Sequence, residues 1–586
     1  MLPFFAASRP IGDPTGVSNV NQPSPAIVAQ GAVRRLPRLA LLALCFAYIV
    51  PGLLGREPWR GADMASFGYM LDMAQGTTGW LDPQLMGLRP EADGLLAYWI
   101  GAWFIQASPG WLSPVLAARL PFAIMLAITM AATWHAVHDL ALQPRAQPIE
   151  FAFGGQADST DYARAIGDGG LLALIACLGL AQPMHEVTPW AAQLCFTAIT
   201  FHAAAGFGRR VLQPALALGV GLAGLVLSAA PTLAVLFGAG AAVLHLLAPG
   251  ADVGGRRRAL RVAGLLALCT VLAAALASAL ELWRWRIVWP IDSDNKDWRS
   301  LGRLLLWFTW PAWPLVLWTL WRWRRQIWTT QFSLHLALPL WFAVITIGAS
   351  WTTRPADRAL LLSLPALATL AAFALPTLRR SVAALIDWFT LLFFTGCGII
   401  IWIIWFAMQT GVPRQAAINV FKQAPDFHAQ FGWASFAIAV TASIMWGWLV
   451  QWRAGRHQPV IWKSLVLPAG GATLCWLLLM TLWMPLLDFV RNYDLATNRL
   501  RAQVGAQACL QVQDISRDQI AALRYHGGFR LVTQTPQAGC GWLVADPELL
   551  AQGRQRIDPR AWHEQARIQR ASGKGDELIL YRRIAP

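Results

Sequence analysis

Residues Ser381–Met408 read SVAALIDWFTLLFFTGCGIIIWIIWFAM, a stretch that decides the fold and in which Asp387 is the only charged residue. A helix needs about 20 apolar residues to cross the roughly 30 Å hydrocarbon layer of a bilayer, and this run is long enough. Similar runs recur along the 586 residues, of which 56% are hydrophobic and 13% charged, whereas soluble domains carry about 25% charged residues. The sequence therefore predicts an all-α polytopic membrane protein.

Short basic clusters between the apolar runs predict the orientation in the membrane. Arginines gather at positions 34–38, 256–258, 322–325 and 453–456, as the positive-inside rule describes for cytoplasmic loops. They do not form one patch with interleaved aromatic residues, so the net charge of +16 does not indicate nucleic-acid binding. Placing them inside predicts a bacterial inner-membrane protein with a cytoplasmic N-terminus, a periplasmic C-terminus and about thirteen spans. The predicted spans are Leu36–Leu54, Ala117–Val137, Gly170–Gln182, Pro189–Gly206, Pro214–Ser228, Pro231–Leu247, Ala259–Leu282, Leu301–Leu320, Phe332–Ser350, Ala359–Leu375, Ala383–Met408, Trp433–Val450 and Ile461–Leu482.

Three regions follow from this pattern. They are a cytoplasmic tail (residues 1–35), a transmembrane domain (36–485) with a long first periplasmic loop (56–116), and a periplasmic domain (486–586). Two amphipathic stretches of the loop, at residues 66–74 and 95–106, are expected to lie in the membrane interface.

The composition of the C-terminal region is that of a small α/β domain. Its predicted strands are Ala508–Val512, Phe529–Thr533, Trp542–Ala545 and Glu577–Tyr581, and its predicted helices are Asp518–Tyr525 and Pro547–Arg556. We interpret it as a lid or docking module rather than a second enzyme, because it is short. Cys509 and Cys540 are its only cysteines, and an oxidising compartment would favour a disulfide between them, two free thiols being the alternative.

The first loop concentrates charged residues in a chain that has few of them. Arg60, Asp63, Arg89, Glu91 and Asp93 lie within this loop. Charge gathered at the boundary between water and membrane indicates a site rather than an ordinary solvated face.

The motifs around these residues resemble those of GT-C glycosyltransferases of the protein O-mannosyltransferase and lipid A aminoarabinose transferase group. The similar motifs are Trp59-Arg60-Gly61-Ala62-Asp63, Gly79-Trp80-Leu81-Asp82-Pro83, Gly87-Leu88-Arg89 and Tyr98-Trp99. The resemblance implies transfer of a sugar from a polyprenyl-phosphate donor to a lipid, glycan or protein acceptor, with Asp63 as the catalytic carboxylate and Arg60, Arg89, Glu91 and Asp93 binding the sugar. The group's Glu-Lys-Pro-Pro run is replaced by Glu91-Ala92-Asp93-Gly94, so the lysine that would contact the lipid phosphate is absent.

Two further segments supply candidate binding residues. Arg354 and Arg358 precede an apolar run, which is similar to the basic loop that precedes such a run in the group. Because guanidinium groups bind phosphate well, the two arginines could hold the lipid phosphate. The alternative is that both side chains reach from the membrane interface into water without contacting substrate. His185 and Glu186 could bind a divalent metal or polarise an acceptor, or could be structural. The pair lacks the spaced ligands of a metal motif, so no cofactor is certain.

Other functions are also compatible with the sequence. An O-antigen-type polymerase or ligase is the alternative within enzymes, although its functional loop usually comes late in the chain. A lipid or sugar transporter would place ionisable or helix-breaking residues near the bilayer midplane, and a scaffold would need no site. The acidic first loop favours the glycosyltransferase.

Overall fold

The structure, a computed structural model, is mostly helical. It describes residues 24–92, 94–207, 211–248, 253–283, 295–327, 333–353, 355–455, 460–533, 539–552, 557–569 and 577–584. Its helices are α1 Arg38–Ile49, α2 Ala62–Ala74, α3 Leu96–Ala107, α4 Pro114–Ala141, α5 Ser159–Ala176, α6 Ala181–Met184, α7 Pro189–Gly206, α8 Leu212–Leu227, α9 Pro231–Leu247, α10 Val253–Ala279, α11 Asn295–Phe308, α12 Ala312–Arg322, α13 Arg324–Ile327, α14 Leu334–Thr352, α15 Ala356–Leu361, α16 Leu364–Ala372, α17 Arg380–Thr410, α18 Arg414–Gln423, α19 Trp433–Gly455, α20 Val466–Leu482, α21 Met484–Arg491, α22 Asp494–Val504, α23 Arg517–Tyr525 and α24 Pro547–Gln552.

Within the described ranges, six helices are long and apolar enough to cross a membrane. Their spanning portions lie in α4, α10, α14 and α17, in α19, and in the segment that ends with α20. A seventh span results if α11 and α12, which meet at 85°, are taken together. Four shorter apolar segments accompany them, at Arg38–Ile49, Leu212–Leu227, Pro231–Leu247 and Leu364–Thr377. The fold is that of a multi-pass membrane protein, and thirteen spans stay a prediction.

Several predicted helix limits need correction. The predicted limits agree with the structure for α7, for α9 and for the span Ile461–Leu482, in which one tight helical turn leads directly into α20. The helix predicted at Gly170–Gln182 begins earlier, as α5, because the Asp158 side chain accepts hydrogen bonds from the Thr160 and Asp161 backbone N–H groups and caps it. The span predicted at Leu301–Leu320 is broken before Pro311, which has no N–H to continue the helix.

A five-stranded sheet forms the C-terminal region. The strands are β1 Cys509–Gln513, β2 Arg530–Thr533, β3 Trp542–Ala545, β4 Trp562–Gln569 and β5 Glu577–Arg583, in the order β2-β1-β3-β5-β4. Strand β1 runs parallel to β2 and β3, whereas β5 runs antiparallel to β3 and β4. Strand β4 was not predicted, because most of its side chains are exposed and its sequence, WHEQARIQ, carries few apolar residues. Cys509 is bonded to Cys540, with the Cα atoms 5.3 Å apart.

The sheet region is attached to the first loop by close packing of α23 on α2. Phe67 of α2 meets Tyr525 of α23 edge to face, with ring centroids 4.9 Å apart. Arg524 forms an ion pair with Asp72. A Cβ atom on Gly68 would lie 2.5 Å from the Cβ atom of Ala521, so the two helices approach more closely than a side chain at residue 68 permits.

Gly68→Ala is therefore expected to destabilise the protein by about 1–3 kcal/mol, because the added methyl group forces α2 and α23 apart. The midpoint of thermal unfolding in detergent measures the effect, and Ala521→Gly in the same protein should restore stability. Gly264→Ala is the matched control, because a Cβ atom on that helical glycine meets nothing within 4 Å. Equal midpoints for the wild type and Gly68→Ala would contradict this packing.

Candidate active site

A cavity of about 2190 Å³ lies between the first loop, the helices α7, α9, α11, α14 and α15, and the start of α23. Its charged lining residues are Arg60, Arg89, Glu91, Glu186, Asp357, Arg358 and Arg517. Its apolar lining includes Trp298, Leu301, Leu304 and Phe308 of α11, Val344 and Ile345 of α14, and Leu361 of α15. The cavity thus combines charged groups with apolar walls, as a site for a lipid-linked polar group requires.

Asp63 is not among the residues that line this cavity. Its side chain is 1% exposed. One carboxylate oxygen, Oδ2, accepts hydrogen bonds from the Trp59 backbone N–H at 3.0 Å and from Arg56 Nη2 at 3.2 Å. The other, Oδ1, accepts from the Val187 backbone N–H at 2.8 Å. Both oxygens of Asp63 thus bind protein donors and the carboxylate does not line the cavity, so its role as the catalytic carboxylate stays a prediction.

Two buried arginines surround Asp63 and tie the first loop to the segment before α7. Arg56 donates a second hydrogen bond, at 2.6 Å, to the backbone carbonyl of His185. Arg119 of α4 donates to the backbone carbonyl of Arg56 at 2.6 Å and lies 3.9 Å from Asp63 Oδ2. Because Asp63 binds Val187 and Arg56 binds His185, the ion pair holds the backbone on both sides of Glu186.

His185 is buried and has a structural environment. Its Nδ1 lies 2.6 Å from the Ala181 carbonyl oxygen and its Nε2 lies 3.0 Å from the Ile49 carbonyl oxygen. Both ring nitrogens therefore face backbone carbonyl groups. The sequence suggested that His185 faces the cavity, but His185 is not among the residues that line it.

Glu186 projects from the clamped segment into the cavity. Gln182 Nε2 donates a hydrogen bond of 3.1 Å to Glu186 Oε1. Burial is the main cause that raises the pKa of the Glu186 carboxyl, and the nearby charge of Asp63 raises it further. A partly buried carboxylate with a raised pKa is suited to accept a proton.

The side chain of Glu91 lies between two arginines of different regions. Arg358 Nη1 is 3.9 Å from Glu91 Oε2, and Arg517 Nη1 is 3.8 Å from Glu91 Oε1. The guanidinium of Arg358 also lies over the ring of Trp190, 3.6 Å from its centroid. The cavity thus carries two cations around one carboxylate.

The remaining predicted residues have different positions. Arg60 and Arg89 line the cavity, and Arg89 Nε is 2.9 Å from Asp82 Oδ1. Asp93 and Arg354 lie outside the described residues. In the described part of the chain, no group of three or more His, Cys, Asp or Glu side chains is placed to hold a metal ion.

Sequence reasoning missed Arg56, Arg119 and Arg517. Arg56 lies just after the first apolar run. Arg119 lies within a predicted span, and a charged residue there indicates either a functional role or a buried ion pair. Nothing in the sequence connects Arg517 with Glu91, because 426 positions separate them and tertiary contacts, among them the packing of α23 on α2, bring them together.

Comparison with known proteins identifies the fold. No protein-family model and no curated protein matches the sequence. Two solved structures of ArnT from Cupriavidus metallidurans do match: one bound to undecaprenyl phosphate, with a TM-score of 0.56, and one in the apo state, with 0.54. Each is 13% identical in sequence and is matched over 93% of this chain, which corresponds to 97% and 96% of the two ArnT chains. The predicted resemblance to the GT-C group is confirmed as a likeness of fold, because the chain has the ArnT fold.

Proposed function

We propose that the protein is a membrane glycosyltransferase that moves a sugar from a polyprenyl-phosphate donor to an acceptor in the periplasm. The proposal rests on one observation: a single cavity is lined both by the charged side chains of Glu186 and Arg358 and by apolar side chains of α11 and α14. The likeness to an ArnT structure with bound undecaprenyl phosphate supports the class of donor. The acceptor is lipid A, another glycan or a protein, and the chain lies in the bacterial inner membrane with residues 486–586 in the periplasm.

The cavity provides for both ends of a displacement at the anomeric carbon. An acceptor hydroxyl attacks this carbon, the bond from the carbon to the phosphate oxygen breaks, and Glu186 takes the hydroxyl proton. The departing phosphate carries the released electron pair, and the guanidinium of Arg358 stabilises its charge. Asp63 is a positioning residue in this mechanism, because its bond to Val187 and its ion pair with Arg56 hold the Glu186 backbone. In this proposal Arg60 and Arg89, which line the cavity, orient the sugar.

Mass spectrometry of polyprenyl-phosphate sugars and envelope glycans tests the function directly. Cells that carry wild-type protein, Glu186→Gln or no protein are compared. Lipid-linked sugar should accumulate, and one glycan modification should disappear, in both the variant and the deletion. A shortened glycan polymer would instead favour a polymerase or ligase, and unchanged pools in both strains would favour a transporter.

The rate of sugar transfer should depend on pH through the protonation of Glu186. A general base acts only when deprotonated, so the rate should fall as the pH falls through the pKa of Glu186. Because burial and Asp63 raise that pKa above its ordinary value of 4.5, the acid limb of the rate profile should lie above pH 4.5. Initial rates across a pH series measure it, and Glu186→Gln should remove this limb. An acid limb that persists in the Glu186→Gln protein would assign the titration to another group.

A further inference from the structure

We propose that Arg517 of the C-terminal region and Arg358 together bind the phosphate of the lipid donor, and that Glu91 is the internal counter-ion which this phosphate displaces. The inference rests on the proposed function for the identity of the lipid. It gives the C-terminal region a direct role in binding, beyond that of a lid or docking module.

The two guanidinium groups are anchored by contacts that do not involve Glu91. Arg517 Nε donates a hydrogen bond of 2.7 Å to the backbone carbonyl of Arg89. The guanidinium carbon of Arg358 lies over the ring of Trp190, and the ring face attracts the cation. Both cations therefore keep their positions when the anion between them changes.

The start of α23 is itself fixed against the first loop. Asp518 Oδ2 accepts a hydrogen bond of 2.7 Å from the Gly61 backbone N–H and another of 2.5 Å from the Tyr493 hydroxyl. Since Asp518 follows Arg517 directly, these bonds set where the Arg517 side chain begins. Arg517 is in this way built into the wall of the cavity and is not a surface arginine that happens to point inward.

Glu91, in contrast, is held weakly. Its side chain is 65% exposed, whereas those of Arg358 and Arg517 are 21% and 34% exposed. Its distances of 3.9 and 3.8 Å to the two guanidinium groups are those of ion pairs rather than hydrogen bonds. Glu91 can leave at little cost, because exposed ion pairs contribute only about 0–1 kcal/mol.

A lipid phosphate suits this position in both of its forms. In the donor it is a diester with two free oxygens, and when the sugar leaves it becomes a monoester with three free oxygens and more negative charge than Glu91. Guanidinium groups bind such oxygens through paired N–H donors. The apolar walls of the same cavity can receive the hydrocarbon chain of the lipid. The chemistry of the cavity therefore points to a phosphate that carries an apolar chain.

The proposal is tested by measuring how tightly undecaprenyl phosphate binds to the full-length protein in detergent. Microscale thermophoresis gives the affinity, and undecaprenol and inorganic phosphate serve as comparison ligands. Arg517→Ala should weaken binding of undecaprenyl phosphate about 10- to 100-fold, the loss expected for charge-assisted hydrogen bonds, and should leave undecaprenol binding unchanged. Arg517→Lys, which keeps the charge, should lose less. Glu91→Gln should strengthen binding about two- to fivefold, because the competing carboxylate charge is removed.

Arg567→Ala is the matched control, since Arg567 is an exposed arginine of β4 that pairs with Glu564 and Glu577. It should bind undecaprenyl phosphate like the wild type, and thermal unfolding should show that Arg517→Ala is folded. The proposal is overturned by equal affinities of Arg517→Ala and wild type, by weaker binding in Glu91→Gln, or by inorganic phosphate that binds as tightly as the lipid. If the binding pattern holds but no sugar transfer is found, the phosphate site stands and the proposed function fails.

Discussion

Glu186→Gln is expected to reduce the rate of sugar transfer by about 10²- to 10⁴-fold, the range measured when general-base catalysis is removed. The glutamine keeps the size of the side chain and an oxygen that can accept the bond from Gln182, so the clamped segment should keep its conformation. The bound acceptor would then lack a group to take its proton. The effect should fall on kcat rather than on the affinity for the lipid donor, because Arg358 and Arg517 are unchanged.

Purified protein with a polyprenyl-phosphate sugar and an extracted acceptor allows this measurement by product mass. Glu564→Gln, an exposed glutamate of β4 that pairs with Arg567, is the matched control and should turn over at the wild-type rate. A folded Glu186→Gln protein with wild-type turnover would remove Glu186 from the mechanism.

Asp63→Asn is expected to destabilise the protein by about 3–5 kcal/mol, because it removes the anion from a buried cluster and leaves Arg56 and Arg119 without their shared partner. Asparagine can still accept the Val187 N–H bond, but it brings no charge to offset two buried guanidinium groups. Transfer should fall as well, since the backbone around Glu186 loses its clamp. The thermal unfolding midpoint and the transfer rate are measured on the same preparation.

The matched control is Asp82→Asn in the same loop. Its carboxylate is 48% exposed and pairs with Arg89 at the surface, so its removal should change stability by no more than about 0.5 kcal/mol. An Asp63→Asn protein as stable as the wild type but unable to transfer sugar would instead return Asp63 to the role of catalytic carboxylate that the sequence suggested.

Glu186 and Asp63 show that a sequence motif can locate an important carboxylate but does not reveal which groups surround it. The position of Asp63, soon after the first apolar run, was visible in the sequence and indicated an important carboxylate; in the structure it lies in the first turn of α2. Its surroundings depend on Arg119, which lies 56 residues further along the chain, and on Val187, 124 residues away. Whether a carboxylate meets substrate or an arginine is decided by these distant contacts.

The sequence by itself determined the membrane class, most helices and four of the five strands, because runs of apolar residues and alternating patterns are local properties that burial rewards directly. It also placed charged residues in the first loop and near α15. Only the tertiary structure decided which of them share a cavity. Gly68 lets α23 pack closely on α2, next to Ala521. With α23 in this position, Arg517 lies 3.8 Å from Glu91. Side chains so far apart in sequence meet only when packing brings their helices together, and no local pattern records that meeting.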